Sequence, residues 1–126
     1  MSAHIESLDK MFAIWNTSDE ARKGALVDQA LEHNVHVADP RHNIIGRDPF
    51  LRMVAETQKQ IPGAVYARSS DVGFQNNFCR YHWTIQTDGK LLMTGFDFVE
   101  VNDSGKIAKV IGFFGELERE DLLGAA

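Results

Sequence analysis

The chain has 126 residues, 44% hydrophobic and 25% charged, the proportions of an ordinary globular protein with room for one core and not for two domains. Lysine and arginine total 13 against 18 aspartates and glutamates, a net charge of −5 with no basic cluster, which argues against nucleic acid and an anionic membrane surface as partners. A single cysteine, Cys79, excludes an intrachain disulfide and fits a reducing compartment, and no apolar run approaches the ~18 residues of a membrane span.

His4, Glu6, Asp9 and Lys10 interrupt any apolar run at the start, so no signal peptide is expected and the cytoplasm is the expected location. Ile5, Leu8, Met11, Phe12 and Trp15 repeat at helical spacing and predict a first helix that stops near Asn16 to Ser18. Ser18 or Asp19 can cap a second, whose predicted face is Ala25, Leu26, Gln29, Ala30 and Leu31. The texture then turns to period two. Val35, Val37 and Asp39 share one face of a predicted strand over 34–39, which Pro40 ends. A short extended piece over 43–45 leads to Gly46. A third helix follows, with Asp48 and Pro49 in its first turn, a core face of Phe50, Met53, Val54 and Thr57, and a stop at Ile61-Pro62-Gly63. Strands are predicted over 65–74, 78–87, 90–101 and 106–117. Asp88-Gly89 marks a tight hairpin between the second and third, and the tail over 118–126 reads as polar and frayed. Residues 1–126 thus read as a single α+β domain, helices first and a meander of antiparallel strands afterwards.

The most informative residue is Asp97, in the middle of the most apolar stretch of the chain, 91–99. An ionised aspartate is rarely buried unless it is paired, hydrogen-bonded or protonated, so this one is expected to line a cavity. Its strand is apolar on both faces, Met93, Gly95, Asp97 and Val99 on one and Leu92, Thr94, Phe96 and Phe98 on the other. A second subunit is the expected cover for the outer face. Asp39 faces the core side by its parity with Val35 and Val37 and is a candidate general base; an aspartate that shapes a turn before Pro40 is the other reading. Tyr81 and Trp83 share one face of their strand and are expected to line the cavity, with His82 on the alternate face. His36 and His42 read as surface or loop residues. His33, His36 and His42 lack the spacing of a metal site, Cys79 reads as a buried apolar residue, and no glycine-rich phosphate loop or nucleotide motif is present, so neither metal nor cofactor is expected.

Three stretches carry a family likeness: Val35-His36-Val37-Ala38-Asp39-Pro40 with Gly46, Gly95-Phe96-Asp97-Phe98-Val99-Glu100-Val101 with Gly105-Lys106-Ile107, and Trp15-Asn16-Thr17-Ser18-Asp19. In them the chain resembles the nuclear transport factor 2-like superfamily, in its SnoaL-like and ketosteroid isomerase-like branch. The resemblance implies a cone in which a curved antiparallel sheet wraps around three helices. It implies Asp39 as general base, Asp97 as a second, cavity-facing acid, and His82 as the partner that SnoaL-like cyclases set beside their aspartate. Where the isomerases carry an oxyanion-hole tyrosine on the first helix, this chain has Met11. The expected pocket is enclosed by Met11 and Trp15, by Phe50, Met53 and Val54, and by Val37, Tyr81, Trp83, Met93 and Gly95 of the sheet. Two functions stay open. One is a cofactor-free isomerase, cyclase or dehydratase that moves a proton on a small hydrophobic carbonyl compound. The other is a non-catalytic ligand-binding or structural module of the same fold, because this fold hosts both.

Overall fold

Apolar side chains at helical spacing build α1 (Ala3–Trp15), which buries Leu8, Met11 and Ile14 with Ser7 beside them. The Ser7 hydroxyl donates to the Gly105 carbonyl at 2.6 Å and ties the helix to the turn before the last strand. The computed structural model describes residues 3–115; the predicted end of the last strand and the tail, 116–126, lie outside the described residues.

Asp19 caps α2 (Glu20–Ala30), its Oδ1 accepting the backbone N–H groups of Ala21 at 3.0 Å and Arg22 at 3.2 Å. The buried face of α2 differs from the predicted one. Ala25 and Gln29 are exposed, while Lys23, Val27 and Ala30 are buried. Lys23 enters the core because its ammonium donates to Gln58 Oε1 at 2.6 Å and to Glu20 Oε1 at 3.4 Å. Gln58 in turn donates to the Trp15 and Thr17 carbonyls, both at 2.9 Å, so this cluster locks the three helices together.

Strand β1 (Leu31–Asp39) leaves α2 directly and starts three residues before the alternation predicts. It is followed by β2 (His42–Ile45), α3 (Arg47–Gln60), β3 (Val65–Arg68), β4 (Gly73–Gln75), β5 (Phe78–Thr87), β6 (Lys90–Val101) and β7 (Ile107–Phe114). The strand predicted over 65–74 is therefore two strands. At the break the Ser69 N–H donates to the His82 carbonyl and the Ser70 hydroxyl accepts the His82 N–H, each at 2.8 Å. Asp88 and Gly89 both take positive φ, 52° and 73°, as the hairpin between β5 and β6 requires.

Among the described residues seven strands form one curved, unclosed sheet in the order β2-β1-β7-β6-β5-β3, with β4 also on β5. Every ladder is antiparallel except β1 with β7, which is parallel and brings the first strand beside the last. The inner face, with Val35, Val37, Cys79, Tyr81 and Val99, packs on Leu8, Ile14, Phe50 and Val54 of the helices. The outer face carries the ring pairs Phe78–Phe98, centroids 5.4 Å apart, and Phe96–Phe113, 6.3 Å apart. Among the described residues no helix is long and apolar enough to cross a membrane.

Candidate functional site

Three adjacent strands bring two carboxylates to one place. Asp97 of β6 stands opposite Gly112 of β7. On the other side of β7, Ala38 pairs with Ile111, so Asp39 follows beside Gly112. A Cβ on Gly112 would lie 3.1 Å from Asp97 Oδ1 and 3.6 Å from Asp39 Cβ. The missing side chain leaves the space between the two aspartates open.

Asp97 is held from β5. Tyr81, its direct cross-strand partner, donates its hydroxyl to Oδ2 at 2.7 Å, and the Trp83 indole N–H donates to Oδ1 at 2.9 Å. Trp83 reaches that position because Gly95, its own cross-strand partner, has no side chain: a Cβ there would sit 1.9 Å from the indole ring. Burial raises the Asp97 carboxyl from 3.8 to about 6; the two hydrogen bonds pull the other way and the Asp39 charge adds to the rise. Burial, and then the Asp97 charge, push the Tyr81 phenol well above its ordinary value, so it stays a donor.

Asp39 is held by a turn. Pro40 and Arg41 form a two-residue connection, and Asp39 pairs with His42 across it, so the two side chains share a face. Asp39 Oδ1 accepts the Arg41 N–H at 2.8 Å and faces His42 Nδ1 at 3.0 Å, with Oδ2 at 3.3 Å from the same nitrogen. Asp39 shapes the turn and also opens into the cavity. His42, expected on the surface, is in the cavity wall. The signal was present in Asp39-Pro40-Arg41-His42, because a two-residue hairpin turn sets the flanking side chains side by side.

The cavity has a volume of about 400 Å³. Met11, Phe12 and Trp15 of α1, Phe50 and Met53 of α3, and Val37, Trp83, Met93, Val110 and Phe114 of the sheet supply its apolar wall; Asp39, Arg41, His42 and Asp97 are its charged or titratable lining, with Thr57, Gln60 and Thr84 as further polar groups. Trp15 packs edge-on to Phe50, centroids 6.0 Å apart, and lies 5.0 Å from Tyr66. The Tyr66 hydroxyl is buried with no hydrogen-bond partner among the described residues.

Four expected site residues lie outside the wall. Val54 is fully buried in the core behind it. Tyr81 is behind Asp97 against Phe12, centroids 5.7 Å apart, and touches the site only through its hydroxyl. Gly95 is covered by the Trp83 ring. His82 points to the outer face, edge-on to Phe96 at 5.6 Å, because strand alternation sets it opposite to Tyr81 and Trp83. Cys79 is buried, and burial raises its thiol to about 11, which removes it as a nucleophile. Among the described residues no three His, Cys, Asp or Glu side chains converge as a metal site.

No family model and no curated protein matches the sequence. Solved structures match it over nearly its whole length. A candidate isomerase of the SnoaL-like family from Agrobacterium tumefaciens is 28% identical, with a TM-score of 0.84 over 92% of this chain and 100% of that one. A candidate SnoaL-like polyketide cyclase from Jannaschia is 11% identical, with a TM-score of 0.72 over 98% and 88%. A nuclear transport factor 2-like protein of unknown function from Exiguobacterium is 15% identical, with a TM-score of 0.71 over 88% and 99%. The last two share the fold; the first joins fold to sequence. With helices first, a curved sheet and an inward aspartate on the long strand β6, the chain has the fold of the nuclear transport factor 2-like superfamily and is similar to its SnoaL-like branch.

Proposed function

We propose that this protein is a cofactor-free catalyst of proton transfer on a small, hydrophobic carbonyl compound, in an isomerisation, cyclisation or dehydration. One observation carries the reading: two carboxylates meet over Gly112 at one patch of an apolar cavity, in unlike surroundings. Groups whose settings differ can hold acid and base forms at one pH. The Asp39 end takes the proton beside the carbonyl. Asp97, whose carboxyl is raised to about 6, donates in its protonated form a hydrogen bond to the oxygen where charge develops. Met11 stands where the isomerases carry a tyrosine, and Tyr81 brings a phenol to Asp97 from the sheet instead. The cytoplasm is the proposed location, consistent with the lone unpaired Cys79. A second copy of the chain is the proposed cover of the outer sheet face, where Phe113 is 54% exposed beside Phe96.

The test is deuterium uptake at the α-carbon of small apolar ketones in D2O, followed by NMR with β-tetralone as the first probe. The protein should accelerate uptake over buffer, and Asp97→Asn should lower that rate by at least ~10²-fold. A rate equal to buffer overturns the reading.

The second reading, a non-catalytic binding module, is favoured by the two hydrogen bonds that already satisfy Asp97. It predicts quenching of Trp15 or Trp83 fluorescence by the same ketones with no deuterium uptake.

A further inference from the structure

We propose that His42 is the base that touches the substrate, and that Asp39 is a positioning residue which holds the imidazole. This rests on the proton-transfer reading above and names the atom that performs it.

The two oxygens of Asp39 are engaged by the turn. Oδ1 already accepts the Arg41 N–H and stands 3.0 Å from His42 Nδ1, and Oδ2 is 3.3 Å from that same nitrogen. A carboxylate facing Nδ1 selects the tautomer with its hydrogen on Nδ1, since that N–H donates to it. The lone pair is then on Nε2. Among the described residues Nε2 of His42 has no hydrogen-bond partner, and the ring is part of the cavity wall. The side chain keeps 28% exposure, enough to meet a ligand, against 11% for Asp39. Asp39 thus plays the part of the group that orients a base and stabilises its cation.

The step is balanced without a further reactant. The C–H bond beside the carbonyl breaks, its electron pair passes into the carbonyl system, and the proton forms an N–H bond at Nε2. Asp39 stabilises the resulting imidazolium, and Asp97 in its protonated form donates to the enolate oxygen and keeps its proton. Nε2 then returns the proton to a carbon of the enolate.

Two measurements decide it. In the β-tetralone assay, His42→Gln should lose at least ~10²-fold of the protein's acceleration with unchanged near-ultraviolet circular dichroism. Independently of any substrate, ¹⁵N NMR of the imidazoles should find the His42 proton on Nδ1, and Asp39→Asn should move it to Nε2 because an amide N–H can donate to Nδ1. If His42→Gln keeps the full rate while Asp39→Asn loses it, Asp39 is itself the base and the proposal is overturned with the proton-transfer function intact. A His42 proton on Nε2 in the unaltered protein overturns it as well. A wild-type rate equal to buffer removes the function on which it rests.

Discussion

Each face of strands β5 and β6 carries one departure from the usual arrangement. The inner face, against the helices, holds Asp97 with the hydroxyl of Tyr81 and the indole N–H of Trp83. The outer face holds His82 and the rings of Phe78, Phe96, Phe98 and Phe113. A sheet that served only to fold would keep its carboxylates outside and carry fewer large rings on its outer face. Polar groups inside cost stability and rings outside cost solubility. The inner face therefore reads as a site and the outer face as a contact, and each can be broken separately.

The largest effect is expected at the support of the inner face. Gly95→Leu drives a side chain into the Trp83 indole, whose atoms lie 1.9 to 2.4 Å from the new Cβ. The clash is with the ring itself, so relief requires Trp83 to shift away from Asp97. The expected loss is about 3 kcal/mol or more, read as the shift of the urea midpoint, together with loss of ketone quenching of Trp83. A variant of unchanged stability would mean that Trp83 is free to move, and that the hydrogen bond to Asp97 does not fix it.

The next effect has the opposite sign. The folded chain holds the Asp97 proton up to about pH 6, whereas the ordinary value is 3.8. The folded state therefore binds more protons between those values, and its stability falls as pH rises through them. The deficit above pH 6 is about 3 kcal/mol. Asp97→Asn removes it and keeps two partners, because its amide oxygen can accept from Trp83 and its amide N–H can donate to the Tyr81 oxygen. The melting temperature of the variant should exceed wild type at pH 7 and converge with it near pH 4, while deuterium uptake is lost. If the two proteins melt alike at pH 7, burial does not strain this carboxylate.

Much of this site follows from strand parity. The inward aim of Asp97, the outward aim of Phe96 and Phe98, and the tight turn at Asp88-Gly89 are local properties of alternating residues. What stayed hidden is non-local. The parallel pairing of β1 with β7, which brings Asp39 to Gly112, joins residues over 70 positions apart. Lys23 reads as a surface residue until Gln58, 35 positions away, supplies its acceptor. The break between β3 and β4 depends on Ser70 and His82. His42 is the exception: its contact with Asp39 is local, and only the length of the turn had to be recognised.

On the outer face, light scattering at micromolar concentration should report a dimer, and Phe113→Glu should convert it to a monomer with native circular dichroism. Removing an aromatic anchor from the middle of an interface costs about 2 kcal/mol or more. A wild-type monomer would break the comparison on this side and leave the rings as surface packing.

The smallest effects separate two tyrosines of the inner face. The Tyr81 hydroxyl donates to Asp97 at 2.7 Å, while the Tyr66 hydroxyl is buried and has no partner among the described residues. Removing the same oxygen should therefore act differently at the two positions. Tyr81→Phe strips a donor from a buried carboxylate and should cost roughly 1–3 kcal/mol at pH 7, with the Asp97 carboxyl raised further. Tyr66→Phe removes an unsatisfied group and should be neutral or stabilising by up to about 1 kcal/mol, since a buried hydroxyl without a bond gains nothing from folding. Urea titrations of both variants at pH 7 give the difference directly. If Tyr66→Phe is as costly as Tyr81→Phe, the Tyr66 hydroxyl has a partner in solution, and the wall of the cavity beside Trp15 is more polar than its lining residues indicate.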